Sequence, residues 1–447
     1  MRKRYALVGA GSRATMFLDA IAGPYAKSSE LVGLCDISQA RMQWHQRRLA
    51  QRFGAPAVPM FGPRSFDAMI EQTKPEVVIV TSIDSTHHHY IIRAMELGCD
   101  VLCEKPMTTT GPSVRDIFHT IECTGQQLRV AFNYRYAAHT TKMRELIMNG
   151  AIGTPTAVDM QWTLDTSHGA DYFRRWHSEK HHSGGLLVHK ATHHFDIINW
   201  WLDSYPQTVF AMGDLKFYGQ RAAQQRGHVA DYTCSREAPP DDPFRLDWDR
   251  HQDQAELYIG EAEDESGYIR DLNVFGEHVT IEDTMAVMAK YRSGVFLSYS
   301  LIAYSPWEGF RASVTGTKGR VELYSKHSSH VFSTTIDEET RKKAEQEENR
   351  ITLFPMFGVP TDIPIPHASG AHGGGDEVLL EQLFSETPPP DPFGRAASHI
   401  DGAASCLLGI AANDSIASHK PVEIDSLFRL PRQAPQNEVA MGWMDKS

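Results

Sequence analysis

Val8-Gly9-Ala10-Gly11-Ser12-Arg13-Ala14 decides how this chain is read. Tyr5-Ala6-Leu7-Val8 is a short buried-strand run and Ala14 to Ala22 has helical spacing, so the glycines stand at a strand-to-helix junction. The pattern is G-x-G-x-x-A. Gly9 makes the tight turn, Gly11 lets backbone approach a pyrophosphate, and small Ala14 permits close helix–strand packing. Ser12 and Arg13 lead into the helix, whose N-terminus faces the anion. Asp36 ends a second strand, Leu31–Asp36, at the spacing of about 20 residues that belongs to this fingerprint. Its carboxylate suits an adenosine ribose and repels a 2′-phosphate, so the expected cofactor is NAD rather than NADP.

Outward from this motif, short apolar runs alternate with helical patterns. Strands are expected at Val77–Val80, Val101–Cys103 and Leu128–Phe132, and helices at Gln39–Phe53 and Tyr90–Leu97. The alternation implies a parallel sheet covered on both faces, a Rossmann dinucleotide-binding domain over residues 1–132. Beyond it the pattern changes. Strand-like segments recur at Ala157–Leu164, Thr208–Phe217, Ala286–Tyr291, Val295–Tyr304 and Arg311–Leu323, with helices at 139–149, 190–202, 376–385 and 396–418. An α+β domain over 133–447 with an open, mostly antiparallel sheet follows, so the fold class is α/β with two domains. Two polar stretches interrupt it. Residues 222–255 read as an excursion outside the core, and 337–350 as a solvated helix or mobile segment.

Bulk properties agree with a globular enzyme. The 447 residues suit two large domains, and 41% hydrophobic with 22% charged residues is ordinary for such a chain. A formal charge of −12 argues against nucleic-acid partners and an anionic membrane surface. No window approaches a transmembrane span of about 20 apolar residues. The basic start Met1-Arg2-Lys3-Arg4 precedes an apolar run too short for a secretory signal, and six cysteines form no disulfide framework. A cytoplasmic address is expected.

A second stretch carries the chemistry: Gly184-Gly185-Leu186-Leu187-Val188-His189-Lys190-Ala191-Thr192-His193-His194-Phe195-Asp196. On a helix, His189 and His193 share one face. Glu104-Lys105-Pro106 follows the strand at 101–103. Further marks are Thr81, Asp84-Ser85-Thr86-His87 and Asn133-Tyr134-Arg135-Tyr136. Taken together these motifs resemble the glucose–fructose oxidoreductase / inositol dehydrogenase / MocA family over at least residues 4–202.

The resemblance implies an NAD-dependent oxidoreductase acting on a hydroxyl or keto carbon of a sugar or cyclic polyol held between the domains. It implies that Lys105 and His193 flank the reacting carbon, and that Thr81, Asp84, His87, Glu104 and Lys105 surround the cofactor. It also implies a homo-oligomer paired through the open sheet, substrate contact near Arg135, and Asp196 as a structural partner. Elementary chemistry agrees: imidazole can take the hydroxyl proton, and an ammonium stabilises the developing alkoxide. The segment His168–His177 adds Tyr172, Arg174, Arg175 and Trp176, a mixture suited to carbohydrate, and Tyr304 and Trp307 are candidates for further contacts.

One position departs from the family. Usual members carry Asp four residues before the catalytic histidine; this chain carries His189. The site then gains a second possible base and loses an anion, and His189 can also simply donate and accept hydrogen bonds to the substrate. Lys105 should keep His189 neutral, and its own pKa should fall. Three readings stay open: a dehydrogenase, an NAD-dependent glycoside hydrolase or lyase using His189 and His193 as proton-transfer groups, and a catalytically silent cofactor-binding regulator. A metal held by His189 and His193 is opposed by Lys105, so no metal is expected.

Overall fold

Val77-Val78-Ile79-Val80 is buried residue by residue, as a strand between two helical layers must be. The computed structural model describes residues 2–228, 231–329, 338–344, 346–366 and 371–431. Strands β1 (Lys3–Val8), β2 (Ser29–Cys35), β3 (Met60–Phe61), β4 (Val77–Val80), β5 (Asp100–Cys103) and β6 (Leu128–Val130) form a parallel sheet. Their order is β3-β2-β1-β4-β5-β6. The order reverses between β1 and β4, which opens a crevice at their carboxyl ends, where Gly9 and Thr81 stand. Helices Ala14–Ala22 and Gln39–Phe53 occupy the expected residues. Ser38 caps the second by accepting from Arg41 N–H at 3.2 Å.

The second sheet contains β7 (Pro155–Asp165), β8 (Pro206–Asp214), β9 (Thr284–Tyr291), β10 (Phe296–Ser305), β11 (Glu308–Gly316), β12 (Gly319–Ser328), β13 (Glu348–Pro355), β14 (Thr361–Ile363) and β15 (Val422–Glu423). Among the described residues its order is β14-β13-β12-β11-β7-β10-β9-β8-β15. Neighbours run antiparallel except β10 beside β7. Helices Ala191–Leu202 and His399–Ser418 pack together, the latter also against β8. Met212, Met288 and Phe296 remain exposed on β8, β9 and β10. No helix among the described residues is long and apolar enough to cross a membrane.

Three expectations need correction. The stretch Arg311–Leu323 is two strands, because Gly316-Thr317-Lys318-Gly319 turns the chain. A Cβ on Gly316 would lie 2.4 Å from Ile152 O, and one on Gly319 2.5 Å from Phe354 O. The polar stretch 222–255 belongs to a longer insertion between β8 and β9 and joins the main core in places: Phe244 packs on buried Phe275 with ring centroids 5.1 Å apart. The 337–350 region holds a short helix, Glu338–Ala344, but β13 already begins at Glu348. Asp337 and Glu345, with Val229 and Ala230 of the first stretch, lie outside the described residues.

Arg135 holds three elements together. It lies in the linker after β6 and is 1% exposed. Its Nε and Nη2 donate to Asp196 Oδ2 and Oδ1 at 2.7 and 2.6 Å, and Nη2 also lies 3.1 Å from Asp401 Oδ1. Asp196 sits on helix Ala191–Leu202 and Asp401 on the first turn of helix His399–Ser418. Burial lifts Asp196 to about 7 even with Arg135 pulling it down. Substrate contact by Arg135 is therefore corrected: its guanidinium is committed inside the protein. Arg135→Ala would leave two buried carboxyl groups without their cation and is expected to cost about 3–5 kcal/mol. A urea unfolding curve checks this, and a loss below about 1 kcal/mol would show that the pairing does not brace the fold.

Candidate active site

The turn after β1 admits only glycine at its first position. Gly9 has φ +95°, and a Cβ there would lie 2.4 Å from Ser82 N. Gly9 N–H donates to Cys35 O at 2.9 Å, while Thr81 Oγ1 donates to Gly9 O at 2.7 Å. The ends of β2 and β4 therefore fix the turn. Asp36 braces it from the side. Its Oδ2 accepts from Ala10 N–H at 2.6 Å, its Oδ1 from Ser38 N–H at 2.8 Å, and Arg41 Nη1 stands 3.5 Å away. Burial pushes the Asp36 carboxyl up, with Arg41 opposing. Both oxygens already serve the turn, so a ribose would share this carboxyl with the backbone.

Glu104 joins the two motifs of the first domain. Its Oε1 accepts from Arg13 Nε at 2.5 Å and its Oε2 from Lys105 N–H at 3.1 Å. The Lys105–Pro106 peptide is cis. His87 is wedged below it, with Nδ1 2.7 Å from Pro106 O and Nε2 3.0 Å from Ser82 O. Burial holds His87 below the usual imidazole range.

The other wall comes from the second domain. The paired glycines at 184 and 185 both have positive φ and lead into two short helical pieces, Leu186–His189 and Ala191–Leu202. The helix is interrupted at Lys190, yet His193 N–H still donates to Lys190 O at 3.3 Å. His189, Lys190 and His193 all line the same cleft. Lys105 Nζ reaches across and donates to His189 O at 3.2 Å.

His189 has a partner that its own helix does not supply. Its Nδ1 lies 2.5 Å from Asp84 Oδ2, on the turn after β4. The helix carries no carboxyl at this position, but Asp84 of the first domain faces the ring. Burial pushes Asp84 well above the usual carboxylate range, with the Lys105 ammonium opposing. Burial, then the charge on Lys105, drives His189 well below the usual imidazole range. Lys105 itself is lowered to about 8 by burial, with Asp84 pulling the other way. The directions match the sequence expectation for His189 and Lys105, but desolvation leads in both.

The cleft has a cavity of about 470 Å³ and is lined from both domains. It brings together Gly9, Gly11, Ser12, Arg13, Asp36, Thr81, Asp84, His87, Glu104, Lys105, Tyr172, Arg175, Trp176, His189 and His193. Ala14 lies fully buried beneath the turn. Three further substrate candidates are corrected by position. Arg174 is buried and bonds Ala170 O and Phe244 O at 3.4 and 3.1 Å. The Tyr304 hydroxyl pairs with Thr284 Oγ1 at 2.8 Å, and its ring stacks on Phe217. Trp307 packs toward Tyr324, with ring centroids 6.0 Å apart. None of the three lines this cleft.

Sequence reasoning missed other residues of the cleft. His177 is buried, stacks on Trp176 at 3.6 Å and meets His189 edgewise at 4.2 Å. Arg41, Lys190, Tyr258, Ser266 and Tyr268 also line it. Lys190 stood inside the quoted helix segment and could have been found there; no local pattern marks Tyr258 or Tyr268.

The residues present fit a dinucleotide: a glycine turn with no room for a side chain, a helix N-terminus behind it, and a carboxyl at the end of β2. Gly9→Ala is expected to weaken NADH binding by more than about 100-fold, because the methyl group would have to displace backbone. A fluorescence titration measures this; unchanged affinity would show that the turn does not hold the cofactor.

Comparisons with known proteins agree with this geometry. Residues 3–132 match the model for the oxidoreductase family, NAD-binding Rossmann fold, and residues 144–424 match the model for its C-terminal alpha/beta domain. YteT of Bacillus subtilis (strain 168), named as a provisional oxidoreductase, is 35% identical over 445 residues, 96% of this chain and 99% of its own. The D-glucoside 3-dehydrogenase of Escherichia coli (strain K12) is 34% identical over 34% of this chain and 40% of its own. The myo-inositol 2-dehydrogenase of Thermotoga maritima is 27% identical over 80% of this chain and 83% of its own. Among solved structures, aldose-aldose oxidoreductase from Caulobacter crescentus superposes with a TM-score of 0.61 at 17% identity, covering 95% of this chain and 100% of that one. A glycine turn built for a dinucleotide, a second domain closing the cleft over it, and family matches across both domains lead to one conclusion: the chain is an NAD-dependent oxidoreductase of the Gfo/Idh/MocA family.

Proposed function

We propose that this enzyme moves hydride between NAD and a secondary hydroxyl or keto carbon of a sugar or cyclic polyol, with His193 as the base and Lys105 as the cation beside the alkoxide. The observation that carries the reading is the meeting of Lys105, His189 and His193 in the cleft that also contains Gly9, Gly11 and Asp36. The substrate class is supported by relatives that act on D-glucosides and myo-inositol. Tyr172, Trp176 and Arg175 line the same cleft, offering aromatic faces and a guanidinium to a hydroxyl-rich ring. Asp36 favours NAD over NADP, because a 2′-phosphate would meet its carboxyl.

When bound, NAD supplies the hydride acceptor. His193 takes the hydroxyl proton as the carbon is oxidised, and Lys105 offsets the charge growing on that oxygen. Lys105 is held in place by its bond to His189 O. The Asp84–His189 pair stands beside it as a carboxyl–imidazole unit joining the two walls. That unit also favours a second reading. A redox-assisted glycosidase oxidises a sugar hydroxyl transiently, eliminates the aglycone, adds water and returns the hydride. Such a cycle needs two proton-transfer groups, and His193 with the Asp84–His189 pair provides them.

Incubation of the enzyme and NAD with myo-inositol and a set of aryl D-glucosides tests the proposal. Stoichiometric NADH is the expected result; aglycone release with only catalytic NAD would favour the second reading, and neither signal across the set would contradict both. Because Lys105 must be charged and its pKa is lowered to about 8, kcat/KM for oxidation should fall as pH rises through that value. In Lys105→Met that descending limb should vanish and the rate should drop by about 100- to 1,000-fold.

A carboxyl exchange tests the Asp84–His189 unit. Asp84→Asn alone should lower kcat by about 100-fold, and His189→Asp alone should fail because two carboxyl groups would face each other. The double variant, which moves the carboxyl onto the helix, should recover to within about tenfold of the parent. A double variant no better than either single one would remove Asp84 from the mechanism.

A further inference from the structure

The insertion between β8 and β9 is anchored to the second domain at its base. The Asp283 carboxylate accepts from the N–H groups of Lys216, Phe217 and Tyr218 at 2.8, 2.7 and 2.9 Å. Arg270 donates to both oxygens of Asp171 at 2.9 and 3.0 Å. Its tip crosses to the other domain, where helices Gln252–Tyr258 and Glu261–Ser266 lie against helix Gln39–Phe53. Trp44 Nε1 donates to Glu256 Oε2 at 3.0 Å. Ser38 Oγ and Ala40 N–H donate to Glu265 Oε2 at 2.7 and 3.1 Å. Leu257, Tyr258 and Trp44 form a small apolar cluster with Tyr268, separate from the main cores.

The tip ends on the glycine motif itself. Ser12 N–H donates to the Tyr258 hydroxyl at 2.7 Å. That hydroxyl would also lie 3.1 Å from a Cβ on Gly11. An amide at this place in a G-x-G-x-x-A turn is the group that meets a dinucleotide phosphate. The Tyr258 hydroxyl thus takes up the amide that a phosphate would use. Gly260 and Gly267 bracket the outer helix with φ of +71° and +65°, and neither has an atom within 4 Å of where a Cβ would stand. These are two turns with room to change.

We propose that residues 252–268 form a lid over the dinucleotide, with Tyr258 as its phosphate-facing residue. The tip lifts to admit NAD. It closes again with the Tyr258 hydroxyl donating to a phosphate oxygen that has taken the Ser12 amide. A lid held by exposed glutamates, the Arg41 guanidinium over the rings of Tyr258 and Tyr268, and one small apolar cluster opens at far less cost than unfolding either domain, while closure excludes water from the cleft. Cofactor exchange then depends on a movement of the second domain's insertion, which must open once in each oxidative turnover to release NADH.

Stopped-flow mixing of the full-length protein with NADH, followed by displacement with excess NAD, tests the lid without any sugar. Glu256 and Glu265 are exposed, so E256A/E265A should fold normally while loosening the clasp. Both association and dissociation of NADH should rise by about tenfold, leaving Kd nearly unchanged. Y258F removes the hydroxyl that accepts from the Ser12 amide before NADH binds and would face the phosphate afterwards, so it should raise association as well as dissociation. Unchanged rates in E256A/E265A would overturn the proposal; a rise in dissociation without association would make the segment a fixed wall and overturn it equally.

Discussion

A carboxyl, an imidazole and an ammonium meet at the seam between two domains, and the working geometry depends on that meeting. None of Asp84, His189 or Lys105 is well placed alone in a buried setting, where desolvation disfavours each charged form. Together they are satisfied: the carboxyl faces the imidazole at 2.5 Å, and the ammonium rests on the His189 carbonyl. Asp84 follows β4, Lys105 follows β5, and His189 ends the helical turn after the paired glycines. One contact therefore registers the carboxyl ends of the first sheet against the entry of the histidine helix.

Around that seam the protein separates its tasks. Arg135 is spent on Asp196 and Asp401, so it braces the histidine helix from behind. Glu104 fixes Arg13 at the glycine turn and orients the backbone of Lys105. Asp36 stiffens the same turn through Ala10 and Ser38. Several residues that read as ligands also prove to hold the ligand site in shape. Such support keeps reacting groups within the narrow tolerance that hydride and proton transfer require.

Local patterns carried much of the fold. Val77–Val80 and the helix Gln39–Phe53 were legible because period and caps agreed with burial. The two-strand nature of 311–323 was less visible, since its turn glycines are set by contacts to Ile152 and Phe354 far away in sequence. The site divides in the same manner. Gly9, Lys105 and His193 stand in contiguous motifs, whereas Arg135 and Arg174 have the chemistry of substrate contacts and only their buried partners, distant in sequence, commit them elsewhere. Asp84 lay in a motif, yet its role depends on His189, and the cover by Tyr258 depends on a chain reversal across the domains. Pairings of that kind leave no trace in spacing.

The most direct measurement follows the protonation of His189 in the folded enzyme. Histidine labelled with carbon-13 at Cε1, with His189→Gln used to assign the resonance, reports the charge on that ring as pH changes. A ring held neutral by burial and by Lys105, and bonded to Asp84, should show no titration between about pH 5 and 8. A resonance titrating near the ordinary value of 6.5 would mean that His189 is solvated and charged on its own, and the seam would not be the coupled unit described.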